Sequence, residues 1–101
     1  MPRFAQQTRL LSTEGRADKL LDKFTEAARI QRTNPACELM FAAKSASEQD
    51  VVYLFEVWRS EADWDEARSS DAIKDWAQGM PELVAEPPNS IRLESIVGKG
   101  L

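Results

Sequence analysis

The chain has 101 residues, with 13 Lys and Arg against 17 Asp and Glu, a net charge of −4 and no histidine. The length predicts one domain over residues 1–101. The acidic balance argues against a nucleic-acid partner, which needs a basic face for the phosphates. Ser-His-Asp and Cys-His machinery and His-ligated metals are excluded, so no metal site is expected. No apolar run approaches the ~20 residues of a membrane span, so no membrane partner is expected. Met1-Pro2-Arg3-Phe4 opens no signal-peptide pattern. A single cysteine, Cys37, excludes an internal disulfide and predicts a reducing, cytoplasmic location.

Residues 4 to 11 predict a first strand with polar residues in it. Ser12-Thr13-Glu14-Gly15 reads as a turn with side chains able to cap a helix. From Ala17 the period changes. Ala17, Leu20, Leu21, Phe24, Ala27 and Ala28 recur at three- and four-residue intervals, one buried face of a helix. Thr33-Asn34-Pro35 stops it, because proline disfavours helical geometry in the residue before it. Ala36 to Lys44 and Val51 to Trp58 predict two strands, joined through the polar loop Ser45 to Asp50 as an antiparallel hairpin.

Ser60-Glu61-Ala62-Asp63 resembles a capping box and starts a short helix carrying Trp64 and Ala67 inward. Ser69-Ser70-Asp71 interrupts and restarts the helical pattern. Ile73, Trp76, Ala77 and Met80 form the next stripe, ended or kinked by Gly79 and Pro81. After the turn Pro87-Pro88-Asn89-Ser90, Ile91 to Val97 predicts the last strand.

The order strand, helix, strand, strand, helical pair, strand predicts an α+β fold. It is a ferredoxin-like split β-α-β arrangement with a four-stranded antiparallel sheet and helices on one face. In the third strand Val51, Tyr53, Phe55 and Val57 alternate with Val52, Leu54, Glu56 and Trp58, so both faces are largely apolar. One set of helices covers one face. The other predicts a homodimer formed through the open sheet face, a dimeric α+β barrel.

Phe55-Glu56-Val57-Trp58-Arg59-Ser60-Glu61-Ala62 resembles the glutamate–tryptophan–serine stretch of antibiotic biosynthesis monooxygenase domains. Gly15 before the amphipathic helix, Asn34-Pro35-Ala36-Cys37, Met80-Pro81-Glu82-Leu83 and Pro87-Pro88 resemble further segments of that family, in the same order. The resemblance implies a pocket between sheet and helices, and cofactor-independent oxygenation of a small aromatic molecule, phenolic, anthrone or quinol-like. No cofactor is then required. It also leaves open a non-oxygenase barrel that binds or isomerises a small ligand or serves a pathway as an accessory. Histidines found in many relatives match Ala67 and Ala72 here. The residues of haem-degrading relatives match Gln7, Ala67 and Ala77, so haem degradation is not implied.

For the aromatic oxygenases, the resemblance maps a pocket tryptophan onto Trp58, a tyrosine near Trp64, an asparagine onto Leu54 and an arginine near Lys74. Trp58 and Glu56 share the strand face toward the helices. They are the expected catalytic pair, Trp58 to stack on a planar substrate and Glu56 to accept a proton. The alternative for Glu56 is an ion pair with Arg92 or Arg9. Trp64, Gln7, Leu54, Lys74 and Arg92 are the expected substrate-binding residues. Gln6, Gln7, Arg9, Arg92 and Glu94 either line the pocket or bridge the dimer. Cys37 reads as a structural thiol.

Overall fold

The computed structural model describes residues 2–101. Strand β1 (Phe4–Leu11) leads to helix α1 (Ala17–Gln31), then strands β2 (Cys37–Lys44) and β3 (Val51–Trp58). Helices α2 (Glu61–Arg68), α3 (Asp71–Ala77) and α4 (Met80–Leu83) precede strand β4 (Asn89–Leu93). All neighbouring strands are antiparallel, in the order β2-β3-β1-β4. This is the ferredoxin-like α+β topology expected from the element order. Among the described residues no helix is long and apolar enough to cross a membrane.

The first three strands and α1 lie where periodicity puts them, to within a residue or two. Helix α1 buries Ala17, Leu20, Phe24 and Ala27, the stripe that pattern defines. Its N-cap is Arg16, with no side-chain cap. The expected capping groups are used elsewhere: the Ser12 hydroxyl donates to the Thr13 carbonyl and the Thr13 hydroxyl to that of Glu82. After α3 the chain turns through Gly79 at φ 88°, left-handed backbone that glycine adopts without strain, and Pro81 sits in the first turn of the new helix α4.

The last strand differs from its expected span. It runs over Asn89–Leu93 rather than Ile91 to Val97. Its partner β1 sets this: Arg9 pairs with Asn89 and Ala5 with Leu93, so β1 runs out just beyond Leu93. Ser95 then adopts positive φ and the chain leaves the sheet.

Register divides the sheet residues cleanly. On the helix side, Met40, Glu56, Gln6 and Arg92 form one row across the four strands, and Ala42, Leu54, Thr8 and Ser90 the next. On the other side, Leu39, Val57, Ala5 and Leu93 form one row and Phe41, Phe55, Gln7 and Ile91 another. The helix-side core is split in two. One cluster joins Leu10, Ala17, Leu20, Phe24, Val52 and Leu54; the other joins Phe4, Ala36, Trp58 and Ala67. The polar residues Gln6, Thr8 and Glu56 separate them on the sheet.

Candidate functional site

A cavity of about 450 Å³ lies at this seam, between the sheet and helices α1, α2 and α3. Leu10, Leu54 and Phe24 bound it from one core cluster, Trp58 and Ala67 from the other. Its size is that of a site for a small organic molecule, and its mix of apolar walls with a few polar groups suits one.

The polar groups are organised around Glu56, which is only 7% exposed. Trp58 Nε1–H donates to Glu56 Oε1 at 3.0 Å, and Gln6 Nε2–H donates to Oε2 at 3.1 Å. Both alternation along β3 and the register with β1 produce this: Trp58 is two residues from Glu56 on the same face, and Gln6 is its cross-strand partner. Each carboxylate oxygen therefore accepts one N–H, and a carboxylate has about four acceptor positions in all. Two remain for a ligand. Neither Arg92 nor Arg9 pairs with Glu56. Arg92 reaches Glu61 at 2.9 Å, and Arg9 reaches Glu48 at 2.9 Å and Glu86 at 3.7 Å. Beside this group, burial and secondarily the Glu56 carboxylate push the Cys37 thiol pKa up, which suits an inert structural cysteine.

The aromatic wall is fixed by its neighbours. Trp64 stacks on the buried ring of Phe4, with centroids 4.4 Å apart and planes 24° from parallel. The guanidinium of Arg68 lies 4.4 Å from the Trp64 ring centre. Trp76 is anchored to α1 by donating its indole N–H to the Lys23 carbonyl, while Lys23 Nζ donates to the Trp76 carbonyl. Helix α2, which carries Trp64, Ala67 and Arg68, is capped at Ser60, whose hydroxyl accepts from the Asp63 N–H at 3.2 Å. The Asp63 carboxylate does not close a standard capping box back onto the backbone. It accepts from the Ser60 hydroxyl at 2.7 Å and from both Nε and Nη2 of Arg59 at 2.9 Å.

The structure brings together Trp58, Glu56, Trp64 and Leu54 of the expected site, all lining the cavity. Three expected binding residues lie elsewhere. Gln7 occupies the opposite sheet face, in the row of Phe41 and Phe55, and Gln6 takes the cavity position. A one-residue difference in strand parity is enough to exchange the two. Lys74 sits on the exposed side of α3, outside the cavity lining. Arg92 lies over the Phe4 ring, 4.4 Å from its centre, and belongs to a larger depression of about 940 Å³. Four of the charges of that depression are taken up in Arg3–Glu38 and Arg92–Glu61 pairs, and Arg59 pairs with Asp63 beside it. Gln6, one of the strand residues expected to line the pocket or bridge the dimer, lines the cavity; Gln31, Met40 and Arg68 line it too and had no role in the sequence reading. Parity with Phe4 and Leu10 decides for Gln6 between those two places; Arg68 was findable as the residue one helical turn after Trp64.

Fold and cavity define a ferredoxin-like α+β protein with a pocket on the helix-covered face of the sheet and the other face open. The family model described as antibiotic biosynthesis monooxygenase matches residues 3–79, and the chain belongs to that family. Among solved structures it is similar to PA3566 from Pseudomonas aeruginosa, at 13% identity and TM-score 0.83, over 96% of this chain and 97% of that one. It is also similar to SO0527 from Shewanella oneidensis, at 23% identity and TM-score 0.78, over 91% of each chain. Rv0793 from Mycobacterium tuberculosis is similar at 21% identity and TM-score 0.82, over 96% of this chain and 98% of that one. At these identities the likeness is one of fold. No curated protein matches the chain in sequence.

Proposed function

We propose that this protein is a cofactor-independent monooxygenase acting on a small phenolic, anthrone or quinol-like substrate in the cavity. The observation that carries the reading is the buried Glu56 carboxylate, held by Trp58 and Gln6 at the floor of an aromatic-walled pocket. In such a reaction Glu56 takes a proton from an activated C–H or O–H, leaving an electron-rich carbanion or phenolate. That anion gives an electron to O2, the radical pair combines as a peroxide anion, and this takes the proton back from Glu56 to become a hydroperoxide. For a methylene carbon, loss of water then leaves a carbonyl, so CH2 plus O2 gives C=O plus H2O. The protein supplies a base, a flat surface in Trp58 and largely apolar walls that orient the ring. Leu54 gives the floor a hydrocarbon rather than a hydrogen-bond donor. This favours, as a second reading, a barrel that binds or isomerises its ligand without oxygen.

The same proposal includes a homodimer through the open face and, from the lone Cys37, a cytoplasmic location. Phe41 at 46% exposure, Ile91 at 53%, Leu39 at 39% and Leu93 at 37% support the dimer, as they fall in two adjacent rows of that face.

Oxygen uptake by the metal-free protein against anthrones, quinols and phenols tests the activity. Uptake that falls at least tenfold in both Trp58→Ala and Glu56→Gln, with folding intact, is the expected result. No uptake from a folded protein across the panel selects the second reading.

A further inference from the structure

Glu56 and Arg68 are the two charged residues that line the cavity, and they occupy it differently. Glu56 is buried on the sheet, whereas Arg68 is exposed at the end of α2. Among the described residues Arg16, Arg29, Arg32 and Arg68 make no ion pair, whereas Arg3, Arg9, Arg59 and Arg92 do, and of the unpaired four only Arg68 lines the cavity. Its guanidinium rests 4.4 Å from the centre of the Trp64 ring, one helical turn back on α2, and Trp64 in turn stacks on buried Phe4. This layered contact orders a side chain that would otherwise sample many rotamers. A guanidinium held against an aromatic ring keeps its N–H edges available for a planar anion.

We infer that the substrate is an anionic aromatic, with a carboxylate or similarly planar anionic group that Arg68 receives at the rim of the cavity. The inference rests on the proposed reading of the cavity as the substrate site. The two charges impose one orientation. A substrate anion is repelled by Glu56 and attracted by Arg68, so it stays at the rim while the uncharged, reactive part of the ring system goes down to Trp58 and Glu56. Arg68 is thus a specificity-determining residue. It selects the ligand and its direction of entry, and Glu56 meets the reacting atoms.

The test compares 2-naphthoate with methyl 2-naphthoate, which share a ring system and differ in charge. Both are titrated against the full-length protein while the indole N–H signals of Trp58 and Trp64 are followed by NMR. The wild type is expected to bind the carboxylate about three- to tenfold more tightly than the ester, the range for a charge-assisted contact at a solvent-exposed rim. The preference should vanish in Arg68→Gln, survive in part in Arg68→Lys and shrink as salt is raised. Equal binding of both probes by the wild type, or an undiminished preference in Arg68→Gln, overturns the role of Arg68 and leaves the cavity reading standing. If neither probe moves the Trp58 signal, the cavity reading fails and the inference falls with it. Arg68 is exposed on a helix surface, so Arg68→Gln is expected to fold, and its circular dichroism and melting temperature check that.

Discussion

Trp58 donates its indole N–H to Glu56 across one alternation of β3, so the buried tryptophan is also the hydrogen-bond partner that makes a buried carboxylate tolerable. The two residues are a unit. Trp58→Phe keeps the ring but removes the donor and some volume, and should cost about 2 kcal/mol of stability. Glu56→Gln keeps the shape but turns an amide donor toward either Trp58 or Gln6, at a cost of about 1–2 kcal/mol. Because both alter the same hydrogen-bond network around residue 56, the double variant should fall short of the sum by about 1 kcal/mol. Urea unfolding of the four proteins measures this, and strict additivity would show that the contact contributes nothing.

Acid should loosen the wall of the cavity through a group outside it. Hydrogen bonds from Arg59 and then from Ser60 hold the Asp63 carboxyl below its ordinary value of 3.8. A carboxylate with a depressed pKa stabilises the fold fully above its unfolded value, and loses that contribution as pH falls through the folded value. Asp63→Asn should therefore be less stable than wild type at neutral pH, with the gap closing only below about pH 4. Raising salt should narrow it, since the pair is exposed. Denaturation midpoints for both proteins across this range decide the matter. A gap that does not change with pH would assign the effect to the Ser60 cap geometry alone.

Much of the fold was legible because its signals are local. The stripe from Ala17 to Ala27 has one period and is closed by Pro35, and β3 alternates without a break. The end of β4 was not legible, because it depends on where β1 stops giving partners, which is a long-range fact. At the site, Trp58 and Glu56 followed from the face of β3 that alternation assigns to the helices. Gln7 was assigned to the wrong side because β1 carries two adjacent glutamines, and composition cannot choose between them. The register with Phe55 does. Lys74 entered by resemblance in chain position and Arg92 as a polar residue of the last strand, whereas the cation that lines the cavity, Arg68, is set by the turn of α2.

The position of Gln7 sharpens the last prediction, which concerns assembly. It stands in the open-face row Phe41, Phe55, Gln7 and Ile91, where Phe41 and Phe55 stack with centroids 4.9 Å apart. A hydrocarbon face of this kind gains roughly 25 cal/mol for each Å² of apolar surface it covers. Two copies related by a two-fold axis cover it with the same residues on each side. Phe41→Glu and Ile91→Glu each place a charge in that row without touching the helix-side core. Each should weaken association at least a hundredfold, and the pair should give a monomer by sedimentation at micromolar concentration. Gln7→Leu removes the polar group from the row and should leave the dimer intact or tighten it, since an amide facing another copy must find a partner or lose its water bonds. A wild-type chain that sediments as a monomer, or a dimer indifferent to both glutamates, would mean that the open sheet face is not where copies meet.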